Sequence, residues 1–474
     1  MSSDAGADST AWLVPLRSAL SQDHARACLT GLHGSTPACA LTLLAQTQKH
    51  APDQSGPWVV ITPDDASAER IYNDLQFFHG LMGLPLDTLA LFPEWETLPY
   101  EETAPHVGLI ARRMMTLHRL LTGSSLILVT SVAAAMHRLI PRSTFEEAVL
   151  RFKTGGACER EPFLAGLLRL GYRRVSVVEI PGEFSVRGGI VDIFSTAYAD
   201  PLRLEFLGDQ VESIRLFDPS TQTSIETLRD GVILPAREFL RPMDAPDTLA
   251  PIAPDAEWRS PDLYAQMDTL FDYLPAPPCL ALDQPEALKK ACKTAWEKID
   301  DGYLRHVDRN AAQAYPTPER LFLQWEELEQ AFAPWPTLAL EPLAAPDSSW
   351  TPVLSFAGQT PASIGLGVRG TPFTQTLTLL ERLRDEYRVT VVARSRGQVD
   401  RLLALLREHD LPADEWTASI WPRRSTGKLP FYVVHGDLSA GFLSSDLRLA
   451  LLTEEELFAK GARHKPQPKT KTAT

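Results

Sequence analysis

The sequence predicts a multidomain α/β protein: a domain of βαβ units, a compact α+β segment, then a second small α/β domain. Three observations lead there. The 474 residues exceed what one hydrophobic core organises, and size points to three or four domains. Apolar runs in the first third alternate with helical patterns, the signature of βαβ units and a parallel sheet. From about residue 145 the texture changes to closely spaced strands.

Taken in order, Thr36-Pro37 opens a helix through Leu41, Leu44 and Thr47, with a hydroxyl at the cap and proline at the first helical position. Residues 58–62 (WVVIT) are an apolar run ended by Pro63, a buried strand. Ile71, Leu75, Phe78 and Leu81 give helical spacing over 65–82, and a further helix over 109–121 leads into a strand at 125–132. The next segment reads as a helix at 163–170 and strands at 174–180, 189–194, 202–206 and 211–217. A strand at 232–235 enters a proline-rich stretch, followed by a short strand at 279–282 and helices at 286–300 and 319–332. Pro334, Pro336, Pro342, Pro346 and Pro352 mark an inter-domain linker. Beyond it, helix 374–386, strand 389–393, helix 398–409 and strands at 430–434 and 447–453 repeat the α/β logic. The expected limits are 1–140 for the first part of the first domain, 141–230 for the insertion, 231–340 for the return, 345–455 for the small domain and 456–474 for a basic flexible linker.

Bulk composition narrows the function. Five scattered cysteines with no C-x-x-C pair argue against a zinc site or a disulfide framework and suit a reducing cytoplasm. No basic-then-apolar leader opens the chain, and no stretch approaches 18 apolar residues, so neither a signal peptide nor a membrane contact is expected. A net charge of −14 disfavours a chain-wide nucleic-acid surface. The exception is 460–474, with five basic and no acidic residues.

The segment Gly31-Leu32-His33-Gly34-Ser35-Thr36-Pro37-Ala38 stands where a phosphate-binding loop would, before the first helix of a βαβ domain. A working loop needs G-x-x-x-x-G-K-[ST]: backbone N–H groups cradle phosphates, lysine neutralises them and the hydroxyl holds magnesium. Here Thr36 replaces the second glycine, Pro37 the lysine and Ala38 the hydroxyl, and proline also removes an N–H. A capped helix start is the plainer reading, so this is a non-functional, degenerate P-loop. Glu94 and Glu96 beside Trp95, with Glu101-Glu102, make a carboxylate pair that reads as solvated loop rather than catalytic centre. The histidines carry no H-E-x-x-H, and Ser35, Ser131 and Ser176 lack a G-x-S-x-G context. No catalytic or metal-binding residue is assigned, and the chain itself is expected to use no cofactor.

The informative stretch is 171–234. It contains Gly182-Glu183-Phe184-Ser185-Val186-Arg187-Gly188-Gly189, then Leu202-Arg203-Leu204-Glu205-Phe206-Leu207-Gly208-Asp209 running on through Glu212-Ser213-Ile214-Arg215. This resembles the domain shared by the excision-repair protein UvrB and the transcription-repair coupling factors. Phe92-Pro93-Glu94-Trp95-Glu96-Thr97-Leu98-Pro99-Tyr100 and Phe271-Asp272-Tyr273-Leu274-Pro275 resemble two further blocks of the coupling factors. The altered loop at 31–38 favours that family over UvrB, which keeps its P-loop.

The resemblance implies a degenerate P-loop (RecA/helicase-like) α/β domain split by an inserted UvrB-like α+β domain. It implies a cytoplasmic, monomeric, non-catalytic adaptor that recruits UvrA for nucleotide excision repair. It places UvrA contacts on Arg187, Arg203 and Leu207, where phenylalanine is common at the third position. Arginine forks and an apolar anchor suit an interface; a structural ion pair of Arg187 with Glu205 or Asp192 is the plainer alternative. RNA polymerase, DNA, ATP and Mg would belong to a motor half of the parent protein that this chain lacks. The competing classes are an ATP-dependent helicase and a UvrB-like binder of damaged DNA. Both are disfavoured by Thr36, Pro37 and Ala38 and by the absence of an aromatic hairpin.

Overall fold

The computed structural model describes residues 13–22, 24–48, 56–97, 100–101, 103–123, 127–241, 252–309, 315–344, 347–368, 373–417 and 430–458. The basic segment expected over 456–474 lies outside the described residues from 459 onward. The chain is a mixed α/β protein of two compact units, one of residues 1–54, 70–87 and 338–474, the other of 55–69 and 88–337.

In the second unit, strand Trp58–Thr62 pairs in parallel with Cys279–Asp283 on one side and Ile127–Ser131 on the other, and Ile127–Ser131 pairs with Leu89–Phe92. Every residue of these four strands is buried, as the unbroken apolar runs require when both sheet faces are covered. The amphipathic helix Val107–Leu121 buries Ile110, Met114, Leu117 and Leu120. It also buries Arg113, whose guanidinium donates to Glu238 from Nε (2.5 Å) and Nη2 (3.0 Å) and to the Pro93 carbonyl from Nη1 (2.7 Å). Trp95 Nε1 donates to the same Glu238 at 2.8 Å, and Arg113 lies 4.0 Å over the Phe92 ring. The Phe92–Trp95 block is thus a buried structural clamp. Of the carboxylates there, Glu96 and Glu101 are exposed as expected, whereas Glu94 is half-buried, and burial with Asp65 nearby pushes its pKa up to about 7.

The same unit holds a six-stranded sheet in the order Ser224–Leu228, Gln210–Phe217, Leu202–Leu207, Ile190–Ile193, Glu183–Arg187, Arg173–Arg174. It is antiparallel except for the last pair. Along Leu202–Leu207, Leu202, Leu204 and Phe206 are buried and Arg203, Glu205 and Leu207 are not, the two-residue period of a half-covered sheet. The helix Arg160–Arg169 supplies cover: its Phe163 ring lies 5.7 Å from that of Phe206.

The first unit contains strand Arg26–Thr30, parallel to Val353–Ser355, and the helix Thr36–Gln48. Its six-stranded sheet runs Gly358–Gln359, Phe442–Ser444, Leu449–Thr453, Arg388–Ala393, Phe431–His435, Ala413–Glu415. Val389, Val391, Val399, Leu402, Leu406, Phe431 and Val433 form its core.

Three sequence expectations are corrected. The strand over 174–180 is only Arg173–Arg174, because the Glu183 carboxylate accepts the N–H groups of Glu179 (2.9 Å) and Ile180 (3.2 Å) and curls the chain. The helix over 319–332 is two, Pro318–Leu321 and Trp325–Phe332, since Gln324 and Glu327 form a capping box that starts the second afresh. The supposed linker 334–352 holds the buried strand Thr337–Leu340, and Glu341 N–H donates to the Leu29 carbonyl at 2.9 Å.

Candidate partner-docking surface

Antiparallel register puts Ser185, Asp192, Arg203, Arg215 and Thr227 in one row across neighbouring strands, on the face that the Arg160–Arg169 helix leaves open. Asp192 is 1% exposed at its side chain and takes both arginines named from sequence. Arg187 Nη2 donates to Asp192 Oδ2 at 2.8 Å. Arg203 grips it bidentately, Nε to Oδ1 at 2.7 Å and Nη2 to Oδ2 at 2.9 Å. Arg203 Nη2 also donates to Gln222 Oε1 at 2.9 Å, and its guanidinium lies 4.3 Å over the Phe217 ring. The Asp192 hydrogen bond holds the Arg203 pKa above its ordinary value. Glu205 is engaged by Arg215 and by Ser213 Oγ (2.7 Å) rather than by Arg187.

The ion-pair alternative for Arg187 is therefore present, with Asp192 as partner, and it does not remove the side chain from solvent. Arg187 remains 50% exposed against 17% for Arg203. Leu207 is 68% exposed, the most open large apolar side chain on this sheet among the described residues. The structure thus places all three on one sheet: a cation at its surface, a second cation braced from below and an uncovered apolar group. Sequence reasoning named Asp192 as a partner of Arg187 but missed its grip on Arg203, and it missed Gln222 and Phe217. The Gly188-Gly189 hairpin sets Asp192 opposite Ser185, and the pairing of Ile190–Ile193 with Leu202–Leu207 sets it opposite Arg203.

In the 31–38 segment the hydroxyls of Ser35 and Thr36 are engaged by the protein itself. Thr36 Oγ1 accepts from His33 N–H (2.7 Å) and donates to the His33 carbonyl (2.8 Å), rather than capping the helix ahead of it. Ser35 Oγ donates to the Ala440 carbonyl at 2.8 Å. Gly31 and Gly34 have φ of +75° and +59°, the left-handed region that favours glycine. Pro37 and Ala38 supply neither the ammonium nor the hydroxyl that a G-x-x-x-x-G-K-[ST] loop uses. Among the described residues no group of three or more His, Cys, Asp or Glu could hold a metal ion, and no helix is long and apolar enough to cross a membrane.

Residues 150–239, which include the whole arginine row, match the family of the UvrB interaction domain. Over most of its length the chain also matches curated proteins named transcription-repair-coupling factor. By sequence, the chain is a relative of the transcription-repair coupling factors. The relative from Myxococcus xanthus is 30% identical over 460 residues, covering 87% of this chain and 38% of that protein. The Haemophilus influenzae coupling factor is 28% identical, covering 87% and 37%, and that of Escherichia coli 26%, covering 92% and 38%. The chain therefore spans less than two-fifths of the length of these coupling factors and matches their amino-terminal part.

Proposed function

We propose that this chain is the docking module of a transcription-repair coupling factor, an adaptor without catalysis of its own that recruits UvrA. The observation that carries the reading is the arginine row of the UvrB interaction domain, with Arg187 and Leu207 open to solvent and Arg203 fixed against Asp192. Two braced guanidinium groups beside an uncovered apolar side chain are the composition of an interface hot spot. The non-catalytic part of the proposal rests on Thr36, Pro37 and Ala38, a degenerate P-loop whose hydroxyls bond to the chain itself. On this reading the 141–230 segment is a UvrB-like insertion in a helicase-type domain. RNA polymerase, DNA and an ATP-driven translocase belong to the rest of the parent protein, which releases polymerase stalled at damage.

Titration of the chain against purified UvrA tests the proposal. Arg187→Ala with Leu207→Asp is expected to weaken binding at least roughly tenfold, since each alters an exposed group that the fold does not need. Arg187→Ala with Arg203→Ala is expected to weaken it further, with circular dichroism confirming that the sheet persists after Asp192 loses its partners. Undiminished UvrA binding by both variants would refute the site. ATP hydrolysis above background by the purified chain would refute the adaptor.

A further inference from the structure

The 31–38 segment has lost the residues that grip phosphate, yet it is not an empty cradle. Residues 436–441, between strands Phe431–His435 and Phe442–Ser444, lie against it in the same compact unit. A methyl group built on Gly34 would meet the Gly441 carbonyl oxygen at 3.0 Å and the Ala440 Cβ at 3.1 Å. Ser35, itself 1% exposed, spends its hydroxyl on the Ala440 carbonyl.

The neighbouring contacts hold this segment at both ends. Asp74, buried on the helix Asp65–Met82, accepts Ser439 N–H at 2.8 Å and Ser439 Oγ at 2.6 Å. Glu456 accepts Gly441 N–H at 3.0 and 3.1 Å while also serving the capping box of the helix Glu454–Leu457. Gly436 is fitted closely over Phe77, where a methyl group would stand 2.5 Å from the ring. Phe78 packs 6.3 Å, centroid to centroid, from Phe442.

We propose that residues 436–441 are a built-in peptide ligand of the degenerate loop, a strap that takes the place of nucleotide there and anchors the 345–458 module. The physical logic is substitution. A carbonyl accepts the hydroxyl of Ser35, and glycines at Gly34 and Gly441 permit the backbone approach that phosphate would otherwise use. Asp74 closes the latch through two hydrogen bonds to one residue, Ser439. This proposal goes beyond the docking function, and it rests on the degenerate-loop part of the proposed function.

Hydrogen exchange on the full chain tests it. Ser35→Ala combined with Ser439→Ala is expected to speed exchange in peptides covering 33–42 and 436–443 together, by roughly tenfold for two part-buried hydroxyl bonds. Peptides covering 183–217 should keep their parental rates. Acceleration on one side only, or on neither, would overturn the strap. Should the double variant unfold, Ser35→Ala alone is the deciding variant, with the same paired response expected. Mg·ATP added to the parent chain is expected to leave exchange at 31–38 unchanged, and protection there would overturn the substitution of peptide for nucleotide.

Discussion

Replacing Arg113 with methionine probes the clamp beneath the Phe92–Trp95 block. Methionine fills much of the space but strips Glu238 of two of its three hydrogen bonds, leaving only Trp95 Nε1, and frees the Pro93 carbonyl. Arg113 is wholly buried and the Glu238 side chain is 8% exposed, so solvent cannot take over either role. Breaking a buried pair from one side costs about 3–5 kcal/mol, because the remaining carboxylate stays desolvated. Removing the charge as well, in Arg113→Met with Glu238→Gln, should recover at least about 2 kcal/mol of that loss, the coupling expected of groups in direct contact. Hydrogen exchange of the Val107–Leu121 helix in rising urea reads both quantities on the element concerned. A loss below about 1 kcal/mol, or a double variant no better than the single, would refute the clamp.

Three further outcomes are expected. Leu207→Phe restores the ring common in the family at an exposed position and should tighten UvrA binding about 3- to 10-fold in interferometry, with unchanged folding; weaker binding would count against Leu207 as an anchor. Burial and Asp65 raise the Glu94 pKa from 4.5 to about 7, against the opposing pull of Lys298 and Arg113. The folded chain therefore favours the protonated form, and that stabilisation is full below pH 4.5 and lost as pH rises through about 7. Glu94→Gln should raise the melting temperature at about pH 8 and change it little near pH 4.5. Asp74 follows the same sign: burial raises it from 3.8 to about 6, with Ser439 and Arg70 lowering it and Asp437 raising it. Exchange of 436–443, corrected for intrinsic rates, should be slower near pH 5 than near pH 7.5. Equal corrected rates would remove Asp74 from the latch.

Much of this architecture is legible in the residues. Unbroken runs such as WVVIT predict strands buried on both faces, and Trp58–Thr62 is one. The long amphipathic patterns at 65–82 and 398–409 predict helices that form as Asp65–Met82 and Arg396–Glu408. Two of the failures share a cause: side chains that bond the backbone locally. Glu183 curls 174–180 away from a strand, and Gln324 with Glu327 splits one expected helix. A proline count suggests a linker at 334–352, but Leu338, Ala339 and Leu340 between the prolines are enough for a buried strand. At the docking surface, the arginines follow from the motif, whereas Asp192 does not. Its role depends on the register of Ile190–Ile193 against Leu202–Leu207, which one-dimensional spacing does not fix.

The shared acid at Asp192 has a consequence for timing. A free surface arginine surrenders its rotamer freedom when a partner arrives, and that loss is charged against affinity. Arg203 has already surrendered it to Asp192, Gln222 and Phe217 during folding, and Arg187 has surrendered part. On the proposed docking reading, a protein partner meets arginines that are already ordered. Association should proceed in a single kinetic phase with no slow rearrangement. Substitutions that loosen Asp192 should leave a surface of the same charge that binds with a larger unfavourable entropy.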